Sequence, residues 1–239
     1  MPASDIEPVR TEWLLEGRIP MGKFGLITGD GGVGKNLYAT RLIADITTGA
    51  LPGDLHGVPR TVLIAEAEDT AADVVLPRLL AAGADTDLVF FIEARNGRSF
   101  VIPDDVAPLR DMIETHESAL GFLSPLSSFT SGKLDDSRER DMRDAVGPLA
   151  DLAHETGATI AAIRHPNKRS EGSFRSRVTG SHGLHDLARW VLHVSRDPQD
   201  PGGDTRVVTV QKANLALGDR ADRFRIAEKV VRGVVPVPS

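Results

Sequence analysis

The segment Leu26-Ile27-Thr28-Gly29-Asp30-Gly31-Gly32-Val33-Gly34-Lys35-Asn36 constrains the fold more than any other part of the chain. It carries the spacing G-x-x-x-x-G-K between one apolar run and one amphipathic run. Glycines at this spacing let successive backbone N–H groups turn toward a common point, where phosphate oxygens fit. The positive end of a following helix strengthens that field, and Lys35 adds a point charge for the outer phosphates. The motif needs a strand before it and a helix after it. Phe24–Thr28 reads as a buried strand, and residues 36–48 put Leu37, Leu42, Ile43 and Ile46 at helical spacing. Gly29, Gly31, Gly32, Val33, Gly34, Lys35 and Asn36 are therefore the candidate phosphate-binding residues. One position departs from the pattern. Asn36 stands where a Ser or Thr hydroxyl usually ligates Mg²⁺, and an amide oxygen takes that place only with some rearrangement.

Beyond the loop, short apolar runs alternate with longer amphipathic ones. Strands are expected at 61–65, 88–92, 100–102, 120–126 and 158–163, with helices at 70–82, 106–116, 137–155 and 182–189. Late strands are expected at 190–194, 206–211 and 223–227, the last of them without intervening helices. This order predicts an α/β fold: a mostly parallel twisted sheet with helices on both faces and a C-terminal antiparallel strand extension. With 239 residues, one domain over 13–239 after a flexible tail at 1–12 accounts for the chain. The absence of Cys excludes disulfide scaffolds, Cys-based zinc sites and a Cys nucleophile. No apolar run is long enough to span a bilayer and no secretory signal opens the chain, so a cytoplasmic location is expected. A net charge of −6 argues against coating DNA by charge alone, while leaving room for a local basic groove.

Several further segments follow in a telling order. The lead-in Trp13-Leu14-Leu15-Glu16-Gly17-Arg18-Ile19-Pro20-Met21-Gly22 precedes the phosphate loop, and Ile64-Ala65-Glu66-Ala67-Glu68-Asp69 ends the next strand in acids. Then come Leu120-Gly121-Phe122-Leu123-Ser124-Pro125-Leu126, Arg164-His165-Pro166-Asn167-Lys168, Arg177-Val178-Thr179-Gly180-Ser181 with the following helix to Arg189-Trp190, and Val210-Gln211-Lys212-Ala213-Asn214. In this order they resemble the RecA-like ring ATPases, specifically the hexameric replicative helicases of the plasmid RepA type. More distant relatives are the DnaB-like helicases, the KaiC-like ATPases and the recombinases.

The resemblance implies a RecA-like P-loop NTPase core that takes ATP with Mg²⁺ and forms a homo-oligomer, a hexameric ring, around single-stranded or forked DNA. It implies that Glu68 polarises the attacking water, with Glu66 as its rival. Ser124 stands where the family carries the Asp that holds the metal, so Asn36 and Ser124 are both altered metal positions. His165 matches a strand-end sensor of the γ-phosphate, and Arg189 matches an arginine finger acting on a neighbouring subunit. Lys212 matches a late residue facing that neighbour's nucleotide. Between Arg164 and Arg177 five basic residues stand against one acid, a local charge of +4. Lys168, Arg169, Arg175 and Arg177 would line the ring's channel and track DNA phosphates.

Plainer readings stay open for each. Glu68 is then an acidic strand end facing solvent, His165 a strand-end histidine bonded to backbone, Arg189 a partner of Asp186, Lys212 a solvated lysine, and the basic loop a charged surface. Three functions follow: an ATP-driven DNA translocase or helicase; a hydrolysis-impaired nucleotide- or DNA-binding ring with a regulatory or structural role in replication; and a metal-dependent phosphodiester hydrolase using Glu66, Glu68 and Asp69.

Overall fold

The computed structural model describes residues 1–93, 99–130, 139–165, 182–215, 221–229, 231 and 237–238. A small ribbon of β1 (Trp13–Leu15) and β2 (Ile19–Pro20) leads into the phosphate-loop strand β3 (Phe24–Thr28) and helix α1 (Lys35–Thr47). Then follow β4 (Val62–Glu66), α2 (Leu76–Ala82), β5 (Val89–Phe91), α3 (Val106–Thr115), β6 (Leu120–Ser124), α4 (Glu139–Thr156) and β7 (Thr159–Arg164). The chain continues through α5 (His182–Leu187), β8 (Trp190–Arg196), β9 (Thr205–Ala213), β10 (Ala221–Arg225), β11 (Glu228–Lys229) and β12 (Val237–Pro238).

Eight strands form one sheet in the order β10-β9-β8-β3-β7-β6-β4-β5. Strands β3 to β8 are parallel, β9 adds antiparallel to β8 and β10 antiparallel to β9, as the run of late strands without helices predicts. Parallel strands covered on both faces read as continuous apolar runs, yet their side chains still alternate. Ile27, Ile64 and Phe122 pack on the face of α1 and α2, while Phe24, Leu26, Leu63 and Leu123 pack on the face of α3, α4 and α5. Among the described residues no helix is long and apolar enough to cross a membrane.

Three segments differ from the sequence expectation, and proline accounts for each. Residues 100–102 make a single parallel bridge, Ile102 to Thr130, rather than a strand, because Pro103 ends the pairing with no N–H to donate. The helix expected over 70–82 begins as one π turn at Ala71–Val75 and becomes α-helical only at Leu76, since Pro77 cannot donate to the preceding turn. Strand β6 stops at Ser124 for the same reason, as Pro125 follows and Leu126–Phe129 turns into a 3₁₀ segment. The short strands β1, β2, β11 and β12 carry too few residues to show a period.

Trp190 is fully buried where β8 starts, and its indole lies over Gly25 of β3. A Cβ on Gly25 would fall 2.1 Å from the ring, whereas one on Gly121 would meet only the movable Ile160 Cδ1 at 2.8 Å. Gly25→Ala is therefore expected to cost about 2–3 kcal/mol of unfolding free energy by overpacking against a rigid ring. Gly121→Ala is expected to cost clearly less. Urea unfolding of both variants checks this, and equal losses would contradict it.

Candidate functional site

Because β3 to β8 run parallel, their C-terminal ends share one edge of the sheet. That edge carries the phosphate loop after Thr28, the acids after Ala65, Ser124, and His165 just beyond Arg164. It is the side on which open α/β sheets bind their ligands.

The loop leaves the sheet through a position only glycine fits: a Cβ on Gly29 would lie 2.3 Å from the Val194 carbonyl oxygen of β8. It enters α1 through Gly34, whose φ of 97° is left-handed and caps the helix at Lys35. The Lys35 side chain is buried, and its Nζ donates to the carbonyls of Gly29 and Asp30, both at 2.8 Å. Burial pushes the Lys35 pKa below its ordinary value, while Asp30 and Glu68 raise it.

Two residues outside the motif hold this loop. Arg206, at the start of β9 and 6% exposed, donates from Nε to the Val33 carbonyl at 3.0 Å, and from Nη1 to the carbonyls of Gly203 and Thr205. Ile226, just past β10, approaches within 3.0 Å of where a Gly34 Cβ would stand. Beneath the loop, Thr28 Oγ1 lies 3.1 Å from both the Leu192 carbonyl and Nδ1 of His193 on the neighbouring β8. Burial lowers the His193 pKa, as does Lys35, while Asp30 raises it.

Across the site, the Glu66 carboxylate folds back at the end of β4. Its Oε1 accepts from the N–H groups of Ala67 and Glu68 at 3.0 Å and of Asp69 at 3.3 Å. Burial raises the Glu66 pKa, opposed by the Glu68 N–H, the Ser124 hydroxyl and the Asp69 N–H. Asp69 is paired with Arg78 of α2 at 2.6 Å. Glu68 is exposed, with Oε2 3.8 Å from Nε2 of His165. The His165 pKa is lowered first by burial and then by Lys35, against the raising effect of Glu68.

Lys35, Glu68 and His165 thus act electrostatically on one another at a single edge, with Asn36 and Ser124 beside them. Arg189 and Lys212 do not belong to this cluster. They lie where β8 begins and β9 ends, at the opposite edge. Lys212 is no simple solvated strand end, since its Nζ donates to the carbonyls of His185 at 2.7 Å and Asp186 at 3.4 Å, closing the end of α5. Asp186 faces His185 at 3.8 Å, and among the described residues Arg189 forms no ion pair with it. Lys168, Arg169, Arg175 and Arg177 lie outside the described residues. The acids Glu66, Glu68 and Asp69 do not converge as a ligand set. Among the described residues no three His, Cys, Asp or Glu side chains are placed to share an ion. Sequence reasoning missed Arg206, His193 and Ile226. Arg206 stands 173 positions from the carbonyl it holds, and no local pattern signals such a contact.

The sequence matches an AAA domain family over residues 3–171. The chain belongs to that family. It is an AAA-type P-loop ATPase domain, and such domains bind nucleotide with a divalent cation in general. No curated protein matches the chain closely enough to report. The residues present fit this AAA domain's ligands in two steps. The loop, the N-terminus of α1 and Lys35 form a cradle for phosphates. For the cation, the side of the site facing α1 offers the Asn36 amide, the Glu66 carboxylate and the buried Ser124 hydroxyl beside that carboxylate. That oxygen donor set suits Mg²⁺, which takes one or two protein oxygens together with phosphate and water.

Two measurements test this support structure. Arg206→Met keeps much of the side-chain volume but strips donors from three carbonyls, and a loss of about 2–3 kcal/mol in urea unfolding is expected. A loss within error would show that the guanidinium does not hold the loop. The unfolded chain protonates His193 near pH 6.5, and the folded chain only at lower pH. Below pH 6.5 the unfolded state binds the extra proton first, so folding stability is full above pH 6.5 and falls as pH drops toward the folded pKa. Urea midpoints at pH 7.5 and 5.5 are expected to differ less in His193→Asn than in the native protein, and an unchanged difference would exclude His193 as a contributor.

Proposed function

We propose that this AAA domain is a ring-forming ATPase that couples ATP turnover to movement along single-stranded or forked DNA. The observation that carries the reading is the convergence of Lys35, Glu68 and His165 at one sheet edge, with Arg189 exposed at the other. A seven-residue strand such as β8 separates those edges by roughly 20 Å. Arg189 therefore cannot serve its own chain's nucleotide, and a finger role requires a neighbouring copy in a ring.

In the reading proposed, the phosphate loop and Lys35 hold the β- and γ-phosphates of ATP. The carboxylate of Glu68 orients a water for attack on the γ-phosphorus and takes up its proton as the bond to the bridging oxygen breaks, leaving ADP and inorganic phosphate. The divalent cation bound with ATP neutralises charge that develops on the phosphate oxygens. His165, neutral at pH 7 because its pKa is lowered, can donate one hydrogen bond toward the γ-phosphate and lose it when phosphate leaves. It directly precedes the basic stretch that holds Lys168, Arg169, Arg175 and Arg177, so a shift of His165 is passed by the shortest covalent route to the residues proposed to track DNA. A second reading, a nucleotide-binding ring with impaired hydrolysis, is favoured by the neutral residues at Asn36 and Ser124.

A Mg²⁺-dependent ATPase assay with and without single-stranded DNA separates the two. Turnover that rises with DNA is expected. Lys35→Ala should abolish it, and Glu68→Gln should lower kcat by at least roughly 100-fold. Arg189→Ala should lose turnover while retaining nucleotide binding. Absent turnover in the native protein together with intact nucleotide binding would favour the second reading, and a strict monomer with and without ATP would rule out the role of Arg189.

A further inference from the structure

The acid that a P-loop ATPase carries at the end of β6 is absent here, and the replacement is a buried serine. The neighbouring strand supplies a carboxylate in the same row. In the parallel pairing of β4 with β6, Glu66 is the register partner of Ser124. Both side chains lie on the α1 face, since Ile64 and Phe122, two residues earlier on each strand, pack there. Asn36, at the start of α1, lines the same small cleft as Glu66, Thr40 and Asp69.

We propose that Glu66 is the residue that holds the nucleotide's divalent cation, taking from β4 the role that an acid on β6 would otherwise have. The inference rests on the nucleotide-binding reading above. Glu66 starts one strand further from β3, the strand of the phosphate loop, than an acid at position 124 would, about 4.8 Å across the sheet. Glutamate is one methylene longer than aspartate, and serine at position 124 takes less room than an aspartate would. Three backbone N–H groups hold Oε1 and fix the orientation of the carboxylate, and none of the three engages Oε2. The buried Ser124 hydroxyl favours the ionised form of Glu66 beside it, and its oxygen keeps lone pairs that can accept from a water of the cation's shell. Asp69, the other nearby acid, is already engaged by Arg78. The two glutamates at the end of β4 then have separate tasks: Glu66 for the cation, Glu68 for the attacking water.

The test is the affinity of Mn²⁺ for the full chain loaded with ADP, read by electron paramagnetic resonance, with fluorescent ADP titrated separately. The native protein is expected to bind Mn²⁺ more tightly than ADP does alone. Glu66→Gln is expected to weaken this by at least about tenfold. Glu66→Gln combined with Ser124→Asp is expected to recover most of it, because the carboxylate is returned to β6. Glu66→Asp, which keeps the charge but retracts it, should weaken binding by an intermediate amount and serves if the Gln variant does not fold. Native-like Mn²⁺ affinity in Glu66→Gln overturns the proposal, and so does native protein that binds ADP without tightening Mn²⁺. Failure of the native protein to bind ADP at all would instead overturn the nucleotide reading on which the proposal rests.

Discussion

The arrangement depends on keeping one buried cation charged. Lys35 is 4% exposed, and an ammonium removed from water to that degree is unstable unless its donors are met. The carbonyls of Gly29 and Asp30 meet it directly, with Asp30 and Glu68 adding favourable charge. This has a consequence for the peptide groups. In a planar trans peptide the C=O and the following N–H point opposite ways. Drawing the Gly29 and Asp30 carbonyls toward Lys35, and the Val33 carbonyl toward Arg206, turns the N–H groups of Asp30, Gly31 and Gly34 away from those cations. One buried cation from within the motif and a second from β9 thus shape the loop from two directions.

The contact with Arg206 gives the antiparallel extension a purpose beyond lengthening the sheet. Strand β9 starts at the edge where β8 ends and runs back across the sheet, so its first residues lie beside the loop that follows β3. Phe224 of β10 meets Tyr38 of α1 at 5.6 Å between ring centroids, and Arg18 bridges to Asp222. Helix α1 is therefore flanked on one side by the last two sheet strands. The same hairpin carries Lys212 at its far end, where it closes α5. Any change at the phosphate loop has a rigid strand pair leading to the opposite edge, the one that bears Arg189.

The fold was legible because the phosphate loop fixes a strand–turn–helix junction and the alternation of elements then leaves few topologies. Strand β3 was readable to the residue from its apolar run, and α1 to within one residue at each end. Boundaries failed where proline cut an apolar run short, at Pro77, Pro103 and Pro125, since hydrophobic pattern does not report a missing N–H. Of the candidate site, Lys35, Glu68 and His165 were legible as a group because each lies on the segment that leaves a strand ending at the same edge. Arg206, His193 and Ile226 were not, because their importance comes from which strands become neighbours. The sequence distances Thr28–His193 and Val33–Arg206 are 165 and 173 positions, and only the completed sheet closes them. In the sequence Glu66 reads only as a rival to Glu68, because the in-register pairing of β4 with β6 arises in the folded sheet.

That pairing gives the substitutions at Asn36 and Ser124 a common physical setting. With Glu66 in place, an aspartate on β6 at position 124 would stand beside it on the same face in the same register row. Two carboxylates this close do not both ionise freely, and burial already raises the Glu66 pKa. Serine removes the second charge and leaves a hydroxyl that favours the ionised form of Glu66. The neutral residue on β6 and the acid on β4 together keep one carboxylate in that register row. Without Glu66 the cleft would keep only the carboxylate of Asp69, which Arg78 already engages. Together the two departures from the usual pattern keep the charge of the site while moving it one strand across the sheet.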